Sequence, residues 1–290
     1  PGRGRDELIM TDSPYCRASL PLMAEQGGTL FYCSFQINLG VDVRDIDYLI
    51  PLCHWLQVYM WPCSVITQSS PIFASRNTNY KSFRVRLNDA ISGSRTGPLS
   101  LDLYDLSEFK YYCHNLPDEA NALRKYNVWY DIFPKLIDEK NPSAGYRIEI
   151  RLADTTELAK LYAFTQAMVL TFMSVLHKLK AKEPLVLPKH RWFMLNRDSV
   201  LKKGRDARIT YNGKEFYSVP DYLNTIWRPL VTNYAKHFNI DMNHLITQLT
   251  GDSRSNEMLK QFETMTTDHI ALNYAYYDYG DRPGRDPCRK

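Results

Sequence analysis

The chain has 290 residues, 44% hydrophobic and 23% charged, which fits a globular protein of one or two domains and excludes disordered and fibrous classes. The formal net charge of +4 comes from scattered Lys and Arg with no basic stripe. That argues against a nucleic-acid partner and leaves a mild preference for anionic ligands such as nucleotides. The short cluster Lys202, Lys203, Arg205 and Arg208 reads as a solvated loop.

Six cysteines occur, at 16, 33, 53, 63, 113 and 288, with no Cys-x-x-Cys pair. Most sit beside apolar residues, as buried thiols do, so a reducing, cytoplasmic home is expected. No leader opens the chain and no apolar run reads as long enough to cross a bilayer, so no membrane partner is expected. The first residue is Pro1 rather than Met, which is consistent with removal of something upstream.

Taken in order, residues 1–28 read as a polar, Gly/Arg-rich tail and lead-in. Residues 29–40 are β-rich and end at Gly40, which predicts a strand. Asp42 then caps a helical stretch to about Thr67, which Pro51 and Pro62 should kink or split. Ser69 to Gly97 reads as a long functional loop with a short strand near Phe83 to Leu87, and a helix is expected around Asp118 to Lys125. Residues 130–134 and 147–151 read as strands, the second alternating charged and apolar residues. Asp154 to Glu157 looks like a capping box opening the longest helix, to about Lys180.

A linker with Pro184 and Pro188 follows, and then helices. One starts near Ser218 and Pro220; others cover about Met242–Leu249 and Ser255–Met265. The boundaries are 29–182 for a catalytic sheet with backing helices, 183–273 for a helical continuation of the same domain, and 274–290 for a mobile tail. The fold class is α+β.

Three strands place polar side chains where a core strand should be apolar. Gln36 and Asn38 share one face, Arg147, Glu149 and Arg151 share another, and Asp131 is a third contribution. Burying such groups is costly unless they are paired or bind a ligand. The Arg-x-Glu-x-Arg strand alone fits a structural ion-pair network equally well. The segment Ser69 to Arg84 is rich in donors, including Arg76, Thr78, Tyr80 and Arg84, and arginine forks suit carboxylate and phosphate. Taken alone it also fits a solvated loop.

In order and spacing, these residues resemble the bacterial and plant type of glutamate–cysteine ligases and their carboxylate–amine ligase relatives. Carrying the resemblance are Ser70-Pro71 with Arg76, Thr78, Tyr80, Ser82 and Arg84 downstream, then Asp131 before Pro134, then Glu149-Ile150-Arg151-Leu152-Ala153-Asp154. Asn196-Arg197 with Gly204, Asp206 and Ala207, and Gly251 with Arg254, add to it. The resemblance covers roughly Leu30 to Glu263.

It implies a fold like that of glutamine synthetase, a curved, mostly antiparallel sheet forming a half funnel backed by helices. It also implies ATP and Mg²⁺ as cofactors. ATP would phosphorylate a carboxylate substrate, usually glutamate, and an amine acceptor would attack the acyl phosphate. Carried across by residue, Glu149 would be a metal ligand and Arg151 would bridge the phosphate. Gln36 and Asn38 would line the metal and nucleotide site. Arg76 and Arg84 would clamp substrate, with Thr78 and Tyr80 orienting them and Arg147 on the binding face. Asp131 would serve the amine side or hold an arginine.

Two departures lie within the motifs. Asn38 stands where the family has His, and Phe133 where it has Arg. The glutamate-rich strand at the family's front has no counterpart here. A second protein chain supplying that strand, a cut upstream, and a non-catalytic relative that scaffolds an active ligase all remain open. Exposed sheet edges are usually covered, which favours a partner.

Overall fold

The computed structural model describes residues 34–73, 76–92, 96–115, 129–138, 140–184 and 187–262. The expected helix at 118–125, the lead-in to residue 33 and the tail from 263 lie outside them.

The core is one antiparallel sheet of order β1-β7-β6, built from β1 (Ser34–Val41), β6 (Ile132–Leu136) and β7 (Tyr146–Asp154). Asn38 and Phe133 both pair with Glu149, and Gly40 and Lys135 both pair with Arg147. This register puts all of these on one face. The alternate residues Ile37, Ile148, Ile150, Leu152 and Ile132 fill the other face and are buried. The register slips between Phe35 and Ile37, where Gln36 meets both Arg151 and Leu152. Such a bulge re-aims side chains and strengthens local twist.

Against the apolar face lies α1 (Leu49–Cys63), nearly every residue of which is buried. A helix enclosed on all sides shows no amphipathic stripe, and α1 is apolar apart from His54 and Gln57. Its far side meets α4 (Leu158–Lys180), which packs in turn on α7 (Arg228–His237) and α8 (Met242–Leu249). The described chain is therefore a sheet backed by helices with a helical carboxyl-terminal part, the α+β arrangement expected. By length and apolarity alone, Val43–Thr67 and Leu158–Lys180 could cross a membrane, so the expectation that no apolar run is long enough is corrected. Core burial accounts for the first, 94% of whose apolar window is enclosed.

Several local expectations change. Asp42 caps only the 3₁₀ turn Val43–Tyr48, by accepting from Arg44 N. The two prolines do not split α1: Pro51 sits in its first turn, where a missing N–H costs nothing, and Pro62 in its last. Residues 83–92 form a helix, α2 (Phe83–Ser92), in place of a strand. Neighbours Arg84 and Val85 are both buried, which one buried strand face does not allow. The helix missed at the sequence level before residue 115 is α3 (Leu106–His114), capped by Asp105, which accepts from Glu108 N. At α4, Asp154 is no cap: it ends β7, and its carboxylate turns to other elements. Short pairs complete the strands: β2 (Ile72–Phe73) with β3 (Arg76–Asn77), β4 (Thr96–Gly97) with β5 (Trp129–Tyr130), and β8 (Arg208–Ile209) with β9 (Tyr217–Ser218). The last helices are α5 (His190–Lys203), α6 (Val219–Tyr222), which runs through a π turn into α7, and α9 (Arg254–Phe262). Ser218 does cap α6, accepting from Asp221 N at 3.2 Å.

At the end of α5, Gly204 has φ +57°, and a Cβ there would lie 2.8 Å from Gln68 Oε1. Both the left-handed turn and the close approach call for glycine. Cys53 and Cys63 are buried free thiols, and Cys16, Cys33 and Cys288 lie outside the described residues.

Polar residues within α1 have partners in the segment after β4. Gln57 exchanges two hydrogen bonds with the Leu99 backbone, at 2.8 and 3.1 Å. His54 Nε2 meets Ser100 O at 2.9 Å, and burial pushes its pKa down to about 4. The unfolded imidazole titrates near 6.5. Its folded pKa is the lower of the two, so the neutral ring is favoured in the native state, and stability is lost as pH falls from 6.5 towards 4. A loss of about 3 kcal/mol across that window is expected in urea unfolding. His54→Gln should flatten the slope between pH 6.5 and 5. An unchanged slope in that variant would locate the titration elsewhere.

Candidate functional site

The polar face of the sheet is built on β7, whose alternation brings Arg147, Glu149 and Arg151 to one side. Glu149 is 3% exposed. Its Oε1 accepts from Arg151 Nε at 2.6 Å, and its Oε2 lies 3.5 Å from Lys135 Nζ on β6. The Arg151 guanidinium also sits over the Phe133 ring, 6.0 Å from its centroid. Arg147 ties the three strands: its Nε donates to Asn38 Oδ1 at 2.9 Å, and its Nη1 donates to the carbonyls of Leu136 and Ile137. Asn38 and Gln36 are exposed. With one buried carboxylate among three cations, this accessible face carries excess positive charge, so it can stand as a closed ion-pair network or receive an anion.

Behind this face, two buried ion pairs hold the backbone of Arg151. Arg151 N donates to Asp131 O at 2.8 Å, and Arg151 O accepts from Arg84 Nη2 at 2.9 Å. Arg84 is itself buried, with Nε on Asp154 Oδ1 at 2.7 Å and Nη2 also reaching the carbonyls of Leu152 and Ala153. Asp131 is gripped by Arg197 of α5, at 2.7 and 3.1 Å. The same guanidinium takes Asp89 of α2 at 2.8 and 3.0 Å and lies over the Trp61 ring. Burial holds the Asp131 carboxyl above its ordinary range, although Arg197 opposes it. Burial opposes the Arg197 charge too, but Asp131 and Asp89 outweigh it and hold that pKa above the ordinary range.

The structure thus brings Gln36, Asn38, Arg147, Glu149 and Arg151 to one face. Arg84 and Asp131 stand behind them, and their charged groups are occupied by Asp154 and Arg197. Nε and Nη2 of Arg84, the residue expected to clamp substrate, are committed to Asp154 and to the carbonyls of β7. Of the two roles expected for Asp131, it performs the holding of an arginine. Thr78 stabilises its own turn, with Oγ1 on Pro71 O at 2.8 Å. Tyr80 lines a separate cavity together with Asn77, Asn79, Lys81, Lys202 and Leu259. Arg76 pairs by its backbone with Phe73, and its side chain lies outside what is described. Sequence reasoning missed Lys135, Asp89 and the grip of Arg197. Lys135 lies two residues after Phe133, so its side was readable from strand alternation, but its neighbour Glu149 depends on the register.

Among the described residues no group of three or more His, Cys, Asp or Glu is placed to hold a metal ion. The face offers one carboxylate. Mg²⁺ is commonly held by one or two carboxylates with phosphates and waters completing its shell. The donor set therefore fits a metal carried mainly by a nucleotide, not an all-protein cage.

No protein-family model matches the chain. It is similar to a Thermobifida fusca (strain YX) protein named "Putative glutamate–cysteine ligase 2", 26% identical over 183 residues, which is 61% of this chain and 42% of that one. The chain thus spans less than half the length of that relative. The similarity supports the broad resemblance to glutamate–cysteine and other carboxylate–amine ligases. Among solved structures, the Pup ligase PafA of the prokaryotic ubiquitin-like modification pathway, in complex with ADP, overlaps 90% of this chain and 52% of its own. Its identity is 13% and its TM-score 0.36, too loose an overlap to carry an argument.

Removing one partner from a buried pair leaves the other charge uncompensated, at about 3–5 kcal/mol. Arg197→Met should lower unfolding stability in urea by that amount, and Arg197→Lys should recover only part, since a lysine cannot fork onto two carboxylates. A loss below about 1 kcal/mol for Arg197→Met would show the triad to be dispensable.

Proposed function

We propose that this chain carries part of the active sheet of an ATP-dependent carboxylate–amine ligase, one that forms an amide through an acyl phosphate, with glutamate as the expected carboxylate donor. The observation that carries the reading is the buried Glu149 between Arg151 and Lys135, on one face with Asn38 and Arg147. The 26% identity to a protein named as a glutamate–cysteine ligase supports it from a second direction.

Phosphoryl transfer asks chiefly for positioning and for neutralisation of negative charge. Arg151 is suited to the second task. Its side chain is 24% exposed and so reaches the open side of the face, while Glu149 and the Phe133 ring fix its direction. Its backbone is held at both N and O, so little reorganisation is left for the moment of reaction. Lys135 and Arg147 add positive charge along the path of a triphosphate. Glu149 would offer the bound Mg²⁺ its Oε2, which faces Lys135 at 3.5 Å, while its Oε1 keeps Arg151 in place. The metal would supply charge neutralisation between phosphate oxygens. In this reading the remaining metal carboxylates come from a partner chain or from upstream sequence.

The test is ADP release by the full chain with ATP, Mg²⁺, glutamate and a panel of amines, with and without a glutamate-rich partner. Glu149→Gln should lower turnover about 100-fold or more, with the unfolding midpoint recorded in parallel. Full activity in that variant would defeat the proposal.

Two observations favour a second reading, in which the chain scaffolds an active ligase without catalysing. Both Glu149 oxygens already face protein cations, and Phe133 stands where the resembled family has arginine. Calorimetry with Mg²⁺–ATP separates the two. A saturating heat that Arg151→Ala abolishes supports the ligase, and no heat from the assembled complex supports the scaffold.

A further inference from the structure

A cavity of 220 Å³ lies where three distant segments meet: the turn after β3, the last turn of α5, and α9. Asn77, Asn79, Tyr80, Lys81, Lys202 and Leu259 line it. Its wall therefore offers two ammonium groups, two amides, a phenol and one apolar side chain, and no carboxylate. None of Asn38, Arg147, Glu149 and Arg151 belongs to it. Lys202, which reads from sequence as part of a solvated loop, has its Nζ 5.6 Å from the Tyr80 ring centroid.

The wall is fixed from behind. Lys81 N donates to Leu201 O at 2.7 Å, and Lys81 O accepts from Ser255 Oγ of α9. Asn79 holds φ +61°, and its N–H donates to Asn77 Oδ1 at 2.9 Å. The Lys81 ammonium is drawn to a neutral partner, Asn256 Oδ1, at 2.8 Å. Burial pushes its pKa down, against a smaller opposing pull from Asp206. Lys202 is paired with Asp198 at 2.8 Å, and the positive charge of Arg86 bears on it as well. Three cations thus bear on this spot against Asp198 and Asp206, and neither acid lines the cavity. A half-buried ammonium on a neutral amide gains most from an incoming anion.

We propose that this cavity is a second anion site, separate from the Glu149 face, which takes a small phosphate dianion. The volume is below that of a pocket for a drug-sized ligand, and so suits a phosphate head. Lysines bind phosphate as point charges, and the asparagine amides and the tyrosine hydroxyl can add directed donors. The head could belong to inorganic phosphate or to a phosphomonoester.

Calorimetry of the full chain at low ionic strength, with inorganic phosphate and with phenyl phosphate in separate titrations, tests it. One equivalent should bind, Lys81→Met and Lys202→Met should each weaken binding about tenfold, and the double variant should bind at least 100-fold more weakly, as charge-assisted contacts imply. Glu149→Gln should bind as the parent does, which keeps this test apart from the ligase proposal. Equal affinities point to the free anion, and tighter phenyl phosphate to an ester, and both support the site. If Lys81→Met does not fold, Lys202→Met decides the matter, because that side chain is 45% exposed and contributes little to the fold. Saturation by neither probe, or parental affinity in the lysine variants, would overturn the site.

Discussion

The carboxylate of Asp154 is the anchor on which the donor-rich segment depends. It closes β7 at 2% exposure and accepts from Ser69 N, Ser70 Oγ, Ser82 Oγ and Arg84 Nε, all within 3.0 Å. A buried carboxylate is tolerable only when its lone pairs are filled, and here four donors fill them. Those donors come from both ends of the segment 69–84, so one side chain closes that loop onto the strand. Ser70 and Ser82 also form a parallel bridge. Arg84 then carries the constraint on, with its second nitrogen on three successive carbonyls of β7. Those carbonyls follow the register slip opposite Gln36, where the ladder alone would leave them poorly satisfied.

From that anchor the position of Arg151 follows. Its carbonyl is fixed by Arg84 and its amide by Asp131, and Asp131 is fixed by Arg197 from α5. Three elements distant in sequence therefore set the backbone of one residue on the polar face. Rigidity of this kind is what a charge-neutralising arginine needs, because misplacement by about 1 Å forfeits much of its effect. The same architecture is equally required by a protein that only displays this face to a partner, so the buried pairs by themselves do not choose between ligase and scaffold.

Much of the sheet was legible in the sequence because strand alternation is a local signal. Arg147, Glu149 and Arg151 declare a polar face by spacing alone, and Gln36 and Asn38 do the same. What spacing does not carry is register, so the pairing of Asn38 with Glu149 and the nearness of Lys135 could not be read. The segment Phe83 to Leu87 misled for a related reason. Its alternation resembles a strand, but the inward residues Arg84 and Val85 are adjacent, and a charge buried against Asp154 cannot be foreseen without knowing that Asp154 is near. Asp154 misled likewise: Asp-Thr-Thr-Glu has the spacing of a helix cap, and only tertiary demand for its carboxylate decides otherwise. Arg197 was legible as part of a motif but not as a structural clamp, since both its carboxylates lie far off in sequence.

The substitution at Phe133 looks, from sequence, like a loss of positive charge beside the carboxylate. In the sheet it is offset. Phe133 faces Glu149 across the ladder, and the next residue of β6 on that face, Lys135, brings an ammonium to 3.5 Å of the same carboxylate. The aromatic ring meanwhile lies against the Arg151 guanidinium, where it can gain a modest cation–π attraction and block water from one side. Phe133 is thus an apolar support for the arginine, and a positive charge stands one strand repeat along. The ammonium is a point charge on a flexible stem, whereas an arginine would offer a planar fork. The face therefore carries positive charge beside Glu149 on a flexible ammonium, without directed, two-pronged recognition at that point.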